Sequence, residues 1–511
     1  MREVDIRVQP IDLLGTLLPA SRWETLRGEA AHARDLLAGR VVWNVSATAE
    51  GGGVAEMLHT LLSCARGAGV DARWWVLDGD PEFFAITKRI HNALHGAAGD
   101  GNPLGAAEHA HYEGVLEHNL AELTNLVRPG DLVLLHDPQT AGLVDAIRAA
   151  GAQVVWRCHI GRDTSNPTTD RGWAFLKRYL QHAEAVVFSR RAYVPKWVAP
   201  ERIWVIAPSI DPFSAKNRDL DDCEISAVLD RAGLVGSGGG PPSGAVRFTA
   251  RDGSVRGVRR HTGLMAGPPL PSSARLVVQV SRWDRLKDMG GVLSAFAELV
   301  VTVTSDVHLV LAGPDVSGVS DDPEGAEVLA ECRAGWSRLP EPTRQRCHLV
   351  SIPMDDVDEN AVIVNALQRH ATVIVQKSIQ EGFGLTVTEA MWKSRPVLAS
   401  AVGGIQEQIV DGEEGLLLPD PHDLPGFARR LLTLLDDPVE AQQMGLRAHR
   451  RVREHFLGDR HLIQYLELFA DLVAHAPAGP RGRGARWSSG QPRHGHLTRE
   501  PRRRMGAGPC G

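Results

Sequence analysis

Cysteine is scarce and scattered in this sequence, with six in 511 residues and none in a Cys-x-x-Cys pair. Cys64, Cys158, Cys223, Cys332, Cys347 and Cys510 stand apart from one another and from any histidine at zinc spacing. That excludes a disulfide framework and a structural zinc site, and it suits a reducing cytoplasm. A charge excess is missing too. The net charge of −6 is small for the length and gives no reason to expect nucleic acid or an anionic membrane as the main partner. No uncharged stretch approaches the length of a membrane span, so no membrane is expected. The segment Met1–Ile6 carries acids where a signal peptide would carry a basic and then an apolar run, which predicts a cytoplasmic protein. The tail, 476–511, lacks large apolar residues and holds Arg481, Arg483, Arg486, Arg493, Arg499 and the run Arg502-Arg503-Arg504. With only Trp487 among these arginines it lacks the stacking platforms of a single-strand binder, and it reads as a disordered, solvated extension.

What is present is ordinary for a globular protein: 43% hydrophobic and 23% charged residues. The length exceeds what one core usually supports, which predicts two domains. The first clear strand, Arg40–Ser46, runs into Gly51-Gly52-Gly53, after which Val54, Leu58, Leu61 and Leu62 recur at helical spacing. Further strands are expected at 72–77, 131–135, 152–156 and 185–188, mostly continuous apolar runs of the kind that parallel strands covered on both faces require. A second series begins at Arg275 and continues through 276–280, 307–311, 373–375 and 396–399, again with helical patterns between. The predicted fold class is α/β: two doubly wound, Rossmann-like domains facing a cleft. The expected boundaries are 1–235 for the first, 275–475 for the second, and a Gly/Pro/Ser/Arg-rich flexible insertion at 236–274 between them.

The most specific segment is Glu381-Gly382-Phe383-Gly384-Leu385-Thr386-Val387-Thr388-Glu389. It follows a strand and opens a helix, so its glycines let backbone approach a ligand and its first amides favour an anion. Glu381 and Glu389 are far enough apart to hold hydroxyls at two ends of one extended ligand, though they could equally cap and solvate a helix. Ser281-Arg282-Trp283-Asp284-Arg285-Leu286-Lys287 ends the first strand of the second series. A guanidinium fork and an ammonium there suit a diphosphate, but such cations at strand ends are also common on solvated surfaces.

Ser-Arg-x4-Lys followed by Glu-Gly-x-Gly-Leu-x3-Glu resembles the retaining glycosyltransferases of the GT-B fold, family four. The resemblance runs from Arg40 to about Leu468 and takes in Ser400–Ile405 and Asp411–Gly415. It implies that Glu381 contacts a donor sugar, Glu389 a ribose, and Arg282 with Lys287 the diphosphate, while Gly382, Phe383, Gly384 and Leu385 line the donor. It also implies a C-terminal helix that crosses back to the first domain. The segments 50–59, 91–96, 136–139, 157–161 and 208–212 are similar to those of trehalose-forming glycosyltransferases. That similarity implies a donor contact from Gly52 and Gly53, a hydrogen bond donated by His159 to the donor sugar, and acceptor binding by Asp137 and Glu56. A core histidine is the alternative reading of His159, and the pairs Trp74-Trp75 and Phe83-Phe84 read as packing residues.

The function expected is transfer of glucose from a nucleoside diphosphate glucose to free glucose, with retention, giving trehalose. No cofactor and no metal is required, because two side-chain cations stand where a metal would. The expected partners are sugars and nucleotide sugars, with a homodimer entertained as the assembly. Three other readings stay open: a retaining trehalose phosphorylase, a family-four transferase with another acceptor, and an inactive carbohydrate-binding protein of the same fold.

Overall fold

A computed structural model of the protein describes residues 1–49, 52–236, 246–261, 265–301, 306–316 and 323–475. The basic tail 476–511 lies outside the described residues, as do Glu50, Gly51, Asp321 and Asp322.

Strands β1 (Arg2–Glu3), β2 (Val42–Ser46), β3 (Ala72–Val76), β4 (Leu132–His136), β5 (Gln153–Cys158), β6 (Ala185–Phe188) and β7 (Ile203–Val205) form the first sheet. Its spatial order is β1-β3-β2-β4-β5-β6-β7, with only the short β1 antiparallel. Every residue of β2, β4 and β5 is buried, because helices cover both faces. Trp74 and Phe83 are fully buried, so both belong to the packing.

The second sheet comprises β10 (Met265–Ala266), β11 (Arg275–Val280), β12 (Val307–Pro314), β13 (Cys347–Ile352), β14 (Val373–Gln376), β15 (Val397–Ser400) and β16 (Leu416–Leu418). Its order is β10-β13-β12-β11-β14-β15-β16, with β10 antiparallel to β13. The order of connection reverses between β2 and β4 in the first sheet and between β11 and β14 in the second. Open α/β sheets bind ligands in the crevices at such reversals. Two α/β lobes with mixed sheets thus face one cleft in a GT-B architecture, as the sequence predicts.

The helix Asp222–Ala232 packs Ile225, Val228 and Leu229 against Val362 and Ile363 of the second lobe. That amphipathic stripe fits either lobe, so its pattern alone does not say which. The described residues between 246 and 274 contain a hairpin, β8 (Arg247–Thr249) with β9 (Val255–Gly257), and then β10 on the edge of the second sheet. Phe248, Ala250, Val258 and Leu270 are buried in the core. Arg256 and Arg259 pair with Asp356, Asp355 and Glu359 at 2.6–3.2 Å. The arginines that suggested solvated chain are thus the partners of an acidic helix start.

The C-terminal helix Gly458–His475 lays Tyr465, Leu468, Phe469 and Leu472 against Leu132, Leu134, Val155 and Val187 of the first sheet. Gln153 Nε2 donates to Leu472 O at 2.7 Å and Arg157 Nη1 to the Tyr465 hydroxyl at 3.0 Å. Full burial of each large apolar side chain there is worth roughly 1.5–3 kcal/mol. Where the chain returns it meets its own outward crossing: Ile210 N donates to Phe456 O at 3.0 Å, and Ile210 bridges to Leu457.

Candidate active site

Turns that follow the two topological reversals supply the walls of a cavity of about 370 Å³. In the second lobe, β11 ends at Ser281-Arg282. Asp284 then caps a single turn, Arg285–Lys287, by accepting from Leu286 N at 2.7 Å. Gln279 Nε2 holds the Lys287 carbonyl at 2.8 Å, which presents the side chain to the loop after β14. There Lys287 Nζ meets Glu381 Oε2 at 2.5 Å, and Ser378 Oγ donates to the same oxygen at 3.2 Å. Arg282 reaches Asp284 at 3.4 Å. Burial works against the Asp284 carboxylate, but Arg282 and Lys287 outweigh it and hold the group below the usual range. Behind this wall, Lys377, almost fully buried, is paired with Asp288.

The helix Leu385–Trp392 starts at Gly384, whose φ of 88° is open to glycine at no steric cost. Gln408 Nε2 donates to the carbonyls of Phe383 and Gly384 and fixes the loop. Gly382 is required for a different reason: a Cβ there would lie 2.5 Å from the His159 carbonyl of the opposite lobe. The lobes are in backbone contact at this point. Tyr193 of the first lobe strengthens the contact, its hydroxyl lying 3.0 Å from Glu381 O and 2.6 Å from Gly382 O. Arg190 donates to the Gly403 carbonyl, and Asp163 accepts from Gly403 N at 3.0 Å and from Gln406 at 2.8 Å.

Farther along the cleft, Glu389 is 3% exposed. Burial pushes its carboxyl up, while Lys216 opposes with its ammonium 3.5 Å from Oε1. The same ammonium lies 2.9–3.0 Å from both oxygens of Glu56, in the first turn of the helix Gly53–Gly67. Desolvation disfavours the Glu56 carboxylate, yet Lys216 dominates and keeps it below the ordinary range. Gly53 packs against Leu385 across the cleft, its notional Cβ 3.1 Å away, and Gly52 has open space before it.

The first lobe brings Asp137 and His159 from the ends of β4 and β5. Asp137 sits at φ 64°, a conformation that costs a non-glycine residue about 1–3 kcal/mol and collects at functional sites. Burial raises its carboxyl to about 7, against the His159 N–H that Oδ1 accepts at 2.8 Å. His159 Nε2 is 3.1 Å from His136 Nδ1, and His136 Nε2 is 3.0 Å from Asn44 Oδ1. Burial drives both imidazoles well below their ordinary value, so both are neutral at pH 7. Which nitrogen donates in each of these contacts is set by the tautomer of the ring. His95, lowered to about 4 by burial and then by Lys287, and His91 complete this wall.

All the residues singled out from sequence line this one cavity: Arg282, Lys287, Glu381, Gly382, Phe383, Gly384, Leu385 and Glu389 from one lobe, Gly52, Gly53, Glu56, Asp137 and His159 from the other. Sequence reasoning missed Lys216, His136, Tyr193, Arg190 and Asp163. Asp163 and Arg190 sit beside quoted segments, but only the fold shows that they reach across the cleft. Among the described residues, the grouping with metal-type geometry is Asp78, His118 and Glu122; all three are exposed and none lines the cavity. No helix among the described residues is long and apolar enough to cross a membrane.

Residues 44–195 match the family model described as trehalose synthase, N-terminal domain, and residues 357–451 match that of glycosyl transferases group 1. A trehalose synthase of Rubrobacter xylanophilus is 35% identical over 457 residues, which cover 88% of this chain and 94% of that one. A trehalose phosphorylase of Pleurotus pulmonarius is 27% identical over 426 residues, 78% of this chain but only 52% of its own. Among solved structures, a UDP-forming α,α-trehalose-phosphate synthase from Burkholderia xenovorans, in complex with glucose-6-phosphate, superposes with a TM-score of 0.62. It is 15% identical, and the match covers 85% of this chain and 100% of that one, a likeness of fold. By full-length similarity, the chain belongs to the trehalose synthase family of GT-B glycosyltransferases.

Proposed function

We propose that the cleft transfers a glucosyl group from a nucleoside diphosphate glucose to glucose, with retention, to make α,α-trehalose. The observation that carries this reading is the shared wall of Arg282, Lys287, Glu381 and Glu389: two cations beside one carboxylate, and a second, buried carboxylate farther along. Arg282 and Lys287 would stabilise charge as it develops on the leaving diphosphate. Glu381 would orient the glucosyl hydroxyls and Glu389 the ribose diol. Lys287 and Glu381 are paired with each other, and donor binding would divide them between phosphate and sugar. Asp137 and Glu56 would receive the acceptor, and the neutral His159 a sugar hydroxyl. Among the described residues, neither first-lobe carboxylate of the cavity is freely ionised: Asp137 is half-protonated near pH 7 and Glu56 is tied to Lys216. This favours a front-face route, in which the departing phosphate takes the acceptor proton, over a covalent glycosyl-enzyme. The free thiols of Cys64, Cys158, Cys223, Cys332 and Cys347 support a reducing cytoplasm as the place of action.

Phosphorolysis needs no ribose site, and the chain matches only half of the phosphorylase. The test is product analysis with glucose plus each of several nucleoside diphosphate glucoses, run beside glucose 1-phosphate, with thermal shifts as a second readout. Trehalose is expected from at least one nucleotide donor, and the free nucleoside diphosphate should stabilise by about 2.7 kcal/mol at a hundredfold excess over its Kd. Trehalose from glucose 1-phosphate alone, with protection by phosphate and by no nucleotide, would replace the synthase with the phosphorylase.

A further inference from the structure

Lys216 takes no part in the motif that defines the donor wall, yet it sits between two carboxylates from opposite lobes. Its ammonium is 2.9–3.0 Å from the Glu56 oxygens and 3.5 Å from Glu389 Oε1. The side chain is 19% exposed and that of Glu389 is 4% exposed. The loop carrying Lys216 is fixed to the second lobe: Trp392 Nε1 donates to Asn217 O at 3.0 Å and Asn365 Nδ2 to Ala215 O at 3.0 Å. The lysine is therefore a rigid post of one lobe that reaches the first helical turn of the other. The remaining oxygen of Glu389, Oε2, is buried and has no hydrogen-bond partner among the described residues. A buried, unpartnered carboxylate oxygen is costly to leave unbonded and suits a hydrogen-bond donor from outside the chain.

We propose that Lys216 is a positioning residue of the donor site: it holds Glu389 ionised with Oε2 left open for a ribose hydroxyl, and it shares that hold with Glu56 of the other lobe. The inference rests on the reading of the cleft as a nucleotide-sugar site. Its physical content is a division of one positive charge. A carboxyl buried like Glu389 favours its neutral form, and the nearby Glu56 charge pushes the same way; Lys216 is the stronger of the two cations that oppose both, and Lys393 the weaker. Lys393 lies on the helix of Glu389. Burial lowers it to about 7, and its ammonium donates to Asn217 Oδ1 at 3.0 Å and to the Glu389 carbonyl at 3.3 Å. Arg251 from the hairpin and His59 from its own helix favour the Glu56 charge, and Arg369 faces Lys393 from the helix Val357–His370.

The division predicts opposite signs for two substitutions. Lys216→Met leaves two acids facing each other and raises the Glu389 carboxyl further. Glu56→Gln removes the competing acid, gives Lys216 to Glu389 alone and lowers it. The experiment is calorimetric titration of the intact protein with UDP and ADP, without glucose, from about pH 6 to pH 8.5. Each variant is expressed as a ratio to wild type, so that ionisation of the diphosphate cancels. For Lys216→Met the ratio should show binding weakened about tenfold at the acid end and recovering toward alkali, one unit of displacement being a factor of ten. Lys216→Arg should restore most of the binding, and Glu56→Gln should bind more tightly than wild type at the acid end. Circular dichroism and melting curves confirm that each variant is folded. Should Lys216→Met misfold, the Lys216→Arg and Glu56→Gln ratios still decide the matter, because only charge sharing makes Glu56→Gln tighten at low pH. Flat ratios, or a Glu56→Gln loss parallel to that of Lys216→Met, overturn the proposal. If wild type bound neither nucleotide, the donor-site reading itself would fall.

Discussion

The two walls of the cleft come from lobes of the same architecture, yet they differ in electrical character. Around Glu381 the second-lobe wall carries full charges in close pairs: Lys287 with Glu381 and Arg282 with Asp284. In the first-lobe wall, Glu56 apart, burial drives the groups toward neutrality: His95 is lowered to about 4, His136 to about 3, and Asp137 is raised to about 7. A diphosphate and an uncharged sugar pose opposite problems. The first needs counter-charge held ready, and the second needs hydrogen-bonding groups that carry no desolvated charge. On the proposed reading, one fold, used twice, meets both by changing what stands at the strand ends.

The comparison breaks most readily at the charged wall. Glu381→Gln or Arg282→Ala should lower kcat by about two to three orders of magnitude, or 2.7–4 kcal/mol, with melting temperature little changed. Near-normal turnover in both would mean that the charges are structural. On the neutral wall the expected effect is on stability and has a definite sign. Asp137 holds a proton in the folded state between its unfolded value of 3.8 and about 7 that the unfolded chain has already lost. Its contribution therefore falls as pH rises through that window, and the full cost is present above it. Asp137→Asn should gain roughly 4 kcal/mol over wild type at about pH 8 and almost nothing at about pH 4, read by denaturant unfolding. A gain independent of pH would show that burial of charge is not the cause. His95 and His136 act in the other direction. Their folded values lie below 6.5, so stability is complete above that pH and is lost as pH falls toward about 4.

The contact between the walls can be probed in the same spirit. Gly382→Ala places a Cβ against the His159 carbonyl and should cost about tenfold in kcat by misplacing the loop, while both isolated walls stay intact. Tyr193→Phe removes one hydroxyl shared by two carbonyls and should raise the donor KM a few-fold, an effect of about 1 kcal/mol. If it lowered kcat as severely as Glu381→Gln, Tyr193 would have to act on the reaction itself.

Much of this was legible in the sequence because it is local. The glycine-bearing loop, its two glutamates and the Arg-x4-Lys turn each lie within one strand-to-helix connection, and the parallel strands announce themselves as apolar runs. What was illegible depends on distance or on buried polarity. β13 is buried throughout, but His348 and Ser351 interrupt its apolar pattern; His348 is accepted in the core because His308 lies 3.0 Å away on β12. Lys216 has no motif, and its first partner is 160 residues distant. The hairpin after residue 246 looked like linker because its arginines could not be matched in sequence to the acids at 355–359. The helix Asp222–Ala232 packs on the second lobe, which its own sequence does not show, because amphipathicity says that a face is covered and never by what.

The two crossings between lobes lie side by side and are bonded to each other at Ile210 and Phe456–Leu457. Mechanically, a pair of cables pinned at one point cannot slide past one another or stretch independently. The freedom left to the halves is rotation about that pin. The Tyr193 and Arg190 contacts, away from it, are then a clasp, and turning through a small angle at the pin opens the widest gap where substrates must enter and trehalose, on our reading, must leave.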